Sequence, residues 1–177
     1  MRVWSRFLIS LSLAAGLSAT TLQQLTIDDM IQKSTAIVRA RVTGSHSAYR
    51  GTEIYTSFQL QVLETWKSNG RPTTEVAVPG GVVKDIRQSV PGAPELKPGQ
   101  EYLLFLWTSR SGLTQVIGLS QGRFDLSEES SGGAVAKRPP ASELMLDPSG
   151  KPVEDHAVSF PLQDLRARVR RTLGAAK

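Results

Sequence analysis

The 177-residue chain contains no cysteine and only two histidines, His46 and His156. Without cysteine no disulfide can staple the fold, so a hydrophobic core must hold it. A domain of this length buries about two thirds of its unfolded surface, enough to need neither disulfide nor structural metal. Two isolated histidines exclude a His/Cys metal cluster, and no H-E-x-x-H occurs. Aromatic residues are few: Tyr49, Tyr55 and Trp66 are scattered along strand-like stretches, a pattern of strand packing and not of a base-stacking platform. After the N-terminal region no segment is apolar for long enough to cross a bilayer.

What is present begins with Met1-Arg-Val-Trp-Ser-Arg6 followed by the apolar run Phe7 to Leu17. Basic residues before a short apolar run, then Gly16, Ser18 and Ala19, predict a secretory signal peptide over residues 1–19. Cleavage after Ser18 places small residues at both positions that signal peptidase reads; cleavage after Ala19 puts Leu17 at one of them. No cysteine follows the run, so no lipid is attached there. Loss of Arg2 and Arg6 takes the 21 basic residues to 19 against 16 acidic, a formal charge of +3. That mild charge does not call for nucleic acid as a partner. An exported domain without disulfides fits a bacterial periplasm or external medium, and the membrane is met only during export.

Thr26-Ile-Asp-Asp29 predicts a capped helix start, with Thr26 as cap, and a helix running to about Lys33. Val38, Ala40 and Val42 alternate with Arg39 and Arg41, the period-2 pattern of a half-buried strand. Residues 43–51 read as a turn region. From Glu53 to Trp66 alternation returns, with Ile54, Thr56, Phe58, Leu60 and Val62 on one face, so the two stretches predict a long hairpin. Thr74 to Val78 is a third strand, and Tyr102 to Trp107 is apolar on both faces, as a central strand is. Leu113 to Gly118 and Gly122 to Leu126 are further strands. Residues 128–142, rich in Ser, Gly, Glu and Pro, predict a flexible linker or surface loop. A small strand at Leu144 to Leu146 precedes a last helix opened by Pro161, with Leu162, Leu165, Val169 and Leu173 as its apolar stripe. The domains are then the signal peptide at 1–19, a β-barrel at 20–127, the linker at 128–142 and a C-terminal strand and amphipathic helix at 143–177.

The stretch AIVRARV (36–42), YTSFQLQVLETWKSNG (55–70) and PGQEYLLFL (98–106) resembles the netrin-like module, an OB-fold family that includes the tissue inhibitors of metalloproteinases. The resemblance implies a mainly β fold: an OB-like closed or partly open barrel with a short N-terminal helix and a C-terminal helix. Those inhibitors chelate zinc through an N-terminal cysteine; with no cysteine here, that mechanism does not transfer. The chain is also similar to exported bacterial proteins carrying PGG, PGxPxFxPGE and GxxQGxF segments. Here these read Pro79-Gly80-Gly81, Pro91 to Gln100 and Gly118 to Phe124.

Gly118-Leu-Ser120-Gln-Gly122 matches G-x-S-x-G, the nucleophile elbow, and Asp155 and His156 follow it in the chain. The elbow needs a helix after the serine, and Arg123 to Leu126 reads as a strand, so glycines in a strand bend explain the match better. The acidic pairs Asp28-Asp29 and Glu128-Glu129 read as helix-start charge and linker solubility. The arginines of the last helix, Arg166, Arg168, Arg170 and Arg171, read as a solvated face opposite the leucine stripe. The long, Gly- and Pro-rich connection from Pro79 to Gly99 is the place where function is expected. Gly80, Gly81, Val82, Val83, Lys84 and Arg87 are its candidate ligand- or partner-contacting residues; the alternative is that Val82, Val83, Ile86 and Val90 plug one barrel end. The expected function is a non-catalytic module that binds another protein, with no cofactor. The alternatives are a small serine hydrolase built on Ser120 and an oligosaccharide- or polyanion-binding barrel.

Overall fold

The computed structural model describes residues 21–128 and 133–175. The predicted signal peptide and the pair Glu128-Glu129 beyond its first member lie outside the described residues. The chain opens with strand β1 (Thr21–Gln23) and helix α1 (Ile27–Lys33). Thr26 caps α1 as its sequence predicts: its hydroxyl accepts from the Asp29 N–H at 3.0 Å, and the Asp29 carboxylate accepts from the Thr26 N–H at 3.2 Å. At the other end Lys67 donates to the carbonyls of Ile31 and Gln32, both at 2.8 Å, closing the last turn.

A long hairpin follows, β2 (Ala36–Arg50) and β3 (Glu53–Lys67), joined by a two-residue turn in which Gly51 has φ of +66°. Residues 43–50, expected to turn, therefore continue the strand. Their lack of apolar alternation has a local cause: this half of the hairpin lies beyond the main core and meets polar partners. Next come β4 (Glu75–Pro79), the small ribbon β5 (Gly81–Val83) and β6 (Ile86–Gln88), then the central strand β7 (Glu101–Thr108). β8 (Thr114–Val116), a 3-10 turn at Leu119–Gly122, β9 (Arg123–Glu128), β10 (Ala134–Arg138), β11 (Leu144–Leu146), β12 (Pro152–Val153), β13 (Val158–Pro161) and α2 (Leu162–Ala175) complete the chain.

The main sheet runs β13-β10-β9-β7-β2-β3-β4, with β8 also paired to β7. The fold is mainly β with a helix near each end, as expected, but the sheet is open and does not close into a barrel. The reason lies on one edge of β7. β8 takes the half at Leu106 to Thr108, and the turn at 118–122 sends the chain back to pair β9 with Tyr102 to Leu104. β8 is only three residues long; it reaches β4, but no ladder joins them among the described residues.

The sheet has a core on each face. On the curled side Val38, Ala40, Val42, Phe58, Leu60, Val76, Val78, Leu104 and Leu106 pack together, closed over by Leu96 and Ala93 from the long connection. On the other side Ile37, Leu103, Phe105 and Phe124 meet Met30 and Ile31 of α1 and Leu165 and Val169 of α2. Phe105 and Phe124 lie 5.6 Å apart, tilted by 52°. β7 serves both cores, which is why its sequence is apolar without alternation.

The expected linker contains a strand. β10 pairs with β9 and β13, and Val135, Ala136 and Arg138 are buried. Arg138 is kept there by Asp155, with paired contacts at 2.6 and 3.0 Å, and the Ala141 N–H donates to the same carboxylate at 2.7 Å. β1, β11 and β12 form a separate three-stranded sheet.

Candidate functional site

The candidate residues at 80–87 fall on the β5–β6 ribbon, and the structure fixes the base of that ribbon in detail. Gly80 donates its N–H to the Ile54 carbonyl at 2.7 Å, and its carbonyl accepts from the Thr56 hydroxyl at 2.8 Å. The Thr56 and Ser47 hydroxyls lie 2.9 Å apart across the β2–β3 hairpin, directly beneath Gly81. A β-carbon on Gly81 would stand 2.4 Å from the Thr56 hydroxyl and 2.6 Å from that of Ser47, and Gly81 has φ of +142°. Only glycine permits this approach. On the returning strand Gln88 accepts from the Ile54 N–H at 2.7 Å and pairs with Glu53. Gly80 and Gly81 are thus anchors of the ribbon as well as wall of the cleft beside it.

Beyond the anchor the ribbon projects. Val82 pairs with Arg87 and Val83 with Ile86 around a turn at Lys84-Asp85. Lys84 has φ of +53°, a conformation that costs an L-residue about 1–2 kcal/mol. Val82 is 44% exposed and Ile86 58%. The expectation that Val82, Val83, Ile86 and Val90 plug a barrel end does not hold: the sheet is open, Val82 and Ile86 are exposed, Val83 and Val90 are half-buried, and Leu96 and Ala93 cover the core instead. Tyr49, 49% exposed, lies two residues beyond Ser47 on the same face of β2.

A cleft of about 560 Å³ opens next to the ribbon, within the size range of ligand sites. It gathers the three segments that sequence had singled out separately: Pro79–Gly81, the stretch from Pro91 to Glu95, and Ser120. Glu95 and Glu143 are the charged groups of its lining.

Ser120 occupies the 3-10 turn, not a strand-to-helix elbow, and the chain continues as β9. Its Oγ is shut from solvent and has no hydrogen-bond partner among the described residues. Asp155 is engaged by Arg138, and His156 is exposed. The Asp155 carboxylate is thus committed to an ion pair. Each motif residue around Ser120 has a packing role instead. Gly118 is left-handed with φ of +61°, and a β-carbon on Gly122 would stand 2.7 Å from the Ile117 carbonyl and 2.9 Å from that of Phe105. Gln121, 1% exposed, accepts from the Leu25 N–H at 2.8 Å and donates to the Gln23 carbonyl at 3.0 Å, clipping the segment between β1 and α1 to the sheet.

Several charged residues elsewhere are paired. Arg39 reaches Glu64 at 3.1 Å and Glu101 at 3.0 Å, Arg41 also meets Glu101, and Arg166 meets Glu64 at 3.3 Å. Glu101 is held below the ordinary carboxylate range by its hydrogen bond from Arg41, reinforced by Arg39. Asp28 accepts from Arg168 at 2.8 and 2.9 Å, which lowers its pKa. Asp28 therefore serves helix packing, and two of the four arginines of α2, Arg166 and Arg168, are engaged by carboxylates. Among the described residues no group of three His, Asp or Glu is placed to hold a metal ion.

No protein-family model matches the chain, and no curated protein matches it as a relative.

Proposed function

We propose that the protein is an exported, non-catalytic binding module that recognises another protein through the β5–β6 ribbon and the cleft at its base. The observation that carries this reading is the ribbon itself. Its foot is pinned through Gly80, Gly81 and Gln88, yet its apolar side chains Val82 and Ile86 are the more exposed ones. A lone two-stranded ribbon gains little stability for the fold, so apolar groups held out on one are suited to burial against a partner. Lys84 and Arg87 beside them supply charge for orientation, and no cofactor enters the reading.

The test compares the parent with a Val82→Asp, Ile86→Asp double variant as bait in native periplasm or culture medium. A protein identified by mass spectrometry on the parent is expected to be lost on the variant, and purified components should repeat the difference by calorimetry. Equal binding by a variant of parental circular dichroism would sink the proposal.

Export and the absence of catalysis are parts of the same proposal. Thr21 already belongs to β1, so cleavage after Ser18 or Ala19 would leave every described strand whole. Mass spectrometry of the native protein should find the N-terminus at Ala19 or Thr20. A fluorophosphonate probe should leave Ser120 unlabelled; labelling of the folded protein would favour the hydrolase alternative. The order of short helix, long hairpin and central apolar strand agrees with the netrin-like resemblance, and we retain that kinship as a proposal. No described helix is long and apolar enough to cross a membrane.

A further inference from the structure

Asn69 is the only asparagine in the chain, and the residue after it is Gly70. The pair sits in the loop between β3 and β4, where residues 68–72 are all exposed. Three features of this loop bear on the reactivity of the Asn69 side chain. Its Oδ1 accepts from the Arg71 N–H at 3.1 Å, so the amide is folded back over the backbone that follows it. The Gly70 N–H donates to the exposed Ser68 hydroxyl at 3.0 Å, so a group able to relay that proton to solvent stands at the nitrogen. Gly70 has φ of +85° and open space where a β-carbon would stand.

We propose that Asn69-Gly70 is a self-modification site at which the folded loop promotes conversion of the asparagine to aspartate and isoaspartate. The Gly70 nitrogen loses its proton to solvent hydroxide, relayed through the Ser68 hydroxyl, and attacks Asn69 Cγ, forming the N–Cγ bond of a five-membered succinimide. The developing oxyanion on Oδ1 is met by the Arg71 N–H that already donates to it. The Cγ–Nδ2 bond breaks and ammonia leaves, taking a proton from water, which restores the hydroxide. Water then opens either carbonyl of the ring, giving aspartate or isoaspartate. The sum is asparagine plus water to an acid plus ammonia, with no change of oxidation state. The product places a carboxylate between Lys67 and Arg71, on a loop that rims a cleft of about 350 Å³ lined by Val38, Leu60 and Val62. It lowers the net charge by one.

The test incubates the full-length folded protein at neutral pH and follows the tryptic fragment Ser68 to Lys84 by liquid chromatography and mass spectrometry. The expected result is a gain of about one dalton at residue 69, shared by two chromatographically separate products, at a rate equal to or above that of the free synthetic fragment. Ser68→Ala should slow the folded protein several-fold while leaving the fragment unchanged. Gly70→Ala should slow both by about tenfold, because a β-carbon crowds the attacking nitrogen. Asn69→Gln should remove the products. Conversion in the folded protein ten times slower than in the fragment would overturn the proposal, since the loop would then protect the asparagine. A Ser68→Ala rate equal to the parent's would overturn the assignment of the proton relay.

Discussion

Helix α2 and the β5–β6 ribbon are both attached to the same sheet, and they treat their apolar residues in opposite ways. α2 buries Leu165 and Val169 completely against Phe105, Phe124 and α1, and directs Arg166 and Arg168 to carboxylates on β3 and α1. The ribbon is anchored through its glycines and its glutamine and holds Val82 and Ile86 in solvent. In the helix the chain satisfies its own apolar surface; in the ribbon it has fixed the backbone and left the apolar surface unfilled. Removing side chains should therefore damage stability at one and recognition at the other.

The largest effects belong to the two cores. Phe58→Ala on the curled face should lower stability by about 3–5 kcal/mol, and Leu165→Ala beneath α2 by about 2–5 kcal/mol. Urea melts measure both, and a Leu165→Ala protein as stable as the parent would remove α2 from the core. The buried pair comes next. Asp155→Ala leaves Arg138 charged, 8% exposed and without its partner, and should cost about 3 kcal/mol.

That pair also sets a pH dependence. Burial pushes the Asp155 carboxyl up, but hydrogen bonds from Arg138 and the Ala141 N–H outweigh it, so the folded pKa lies below the ordinary value. The stability it contributes is complete above the unfolded pKa of about 4 and is lost as pH falls through the folded value. Urea midpoints should thus be level above about pH 5 and fall below about pH 4, with a shallower fall in Asp155→Asn.

Gly81→Ala should have an intermediate effect of about 1–3 kcal/mol, since its β-carbon collides with the Thr56 and Ser47 hydroxyls. Hydrogen exchange should show the ribbon's foot loosened while β7 stays protected. The smallest expected effect on stability is at the tip. Val82→Ser with Ile86→Ser should stay within about 0.5 kcal/mol of the parent, while the partner's affinity falls. A large loss of stability at the tip would show that the ribbon packs as α2 does, and the contrast would be gone.

Local pattern made much of this architecture legible. The capping box at Thr26 and Asp29, the doubly apolar run of β7 and the stripe of α2 each act through neighbours in sequence, so periodicity and cap chemistry reveal them. β10 was hidden because Ala134 and Ala136 are small, Lys137 is charged, and Arg138 is buried only through Asp155, 17 residues away. The outer half of β2 was hidden because Ser47 serves a hydroxyl and a glycine contact and Ser45 is exposed, so no apolar alternation marks it. At the candidate site, the sequence marked the 79–99 segment by its length and its glycines, but it could not say which residues point outward. Val82, Val83, Ile86 and Val90 are alike as letters; only the folded chain leaves Val82 and Ile86 exposed and Val83 and Val90 half-buried.

The sequence by itself therefore determined the strand and helix segments with regular periods, the cap of α1 and the need for a core without disulfides, because these depend on spacing and composition. The tertiary structure alone decided that the sheet stays open, that Ser120 lies in a packing turn, and that three separate glycine- and proline-rich segments meet at one cleft. Those outcomes rest on contacts between residues far apart in the chain. Their deciding distances, such as the 2.7 Å from a Gly122 β-carbon to the Ile117 carbonyl or the 2.4 Å above Gly81, exist only once the strands are paired.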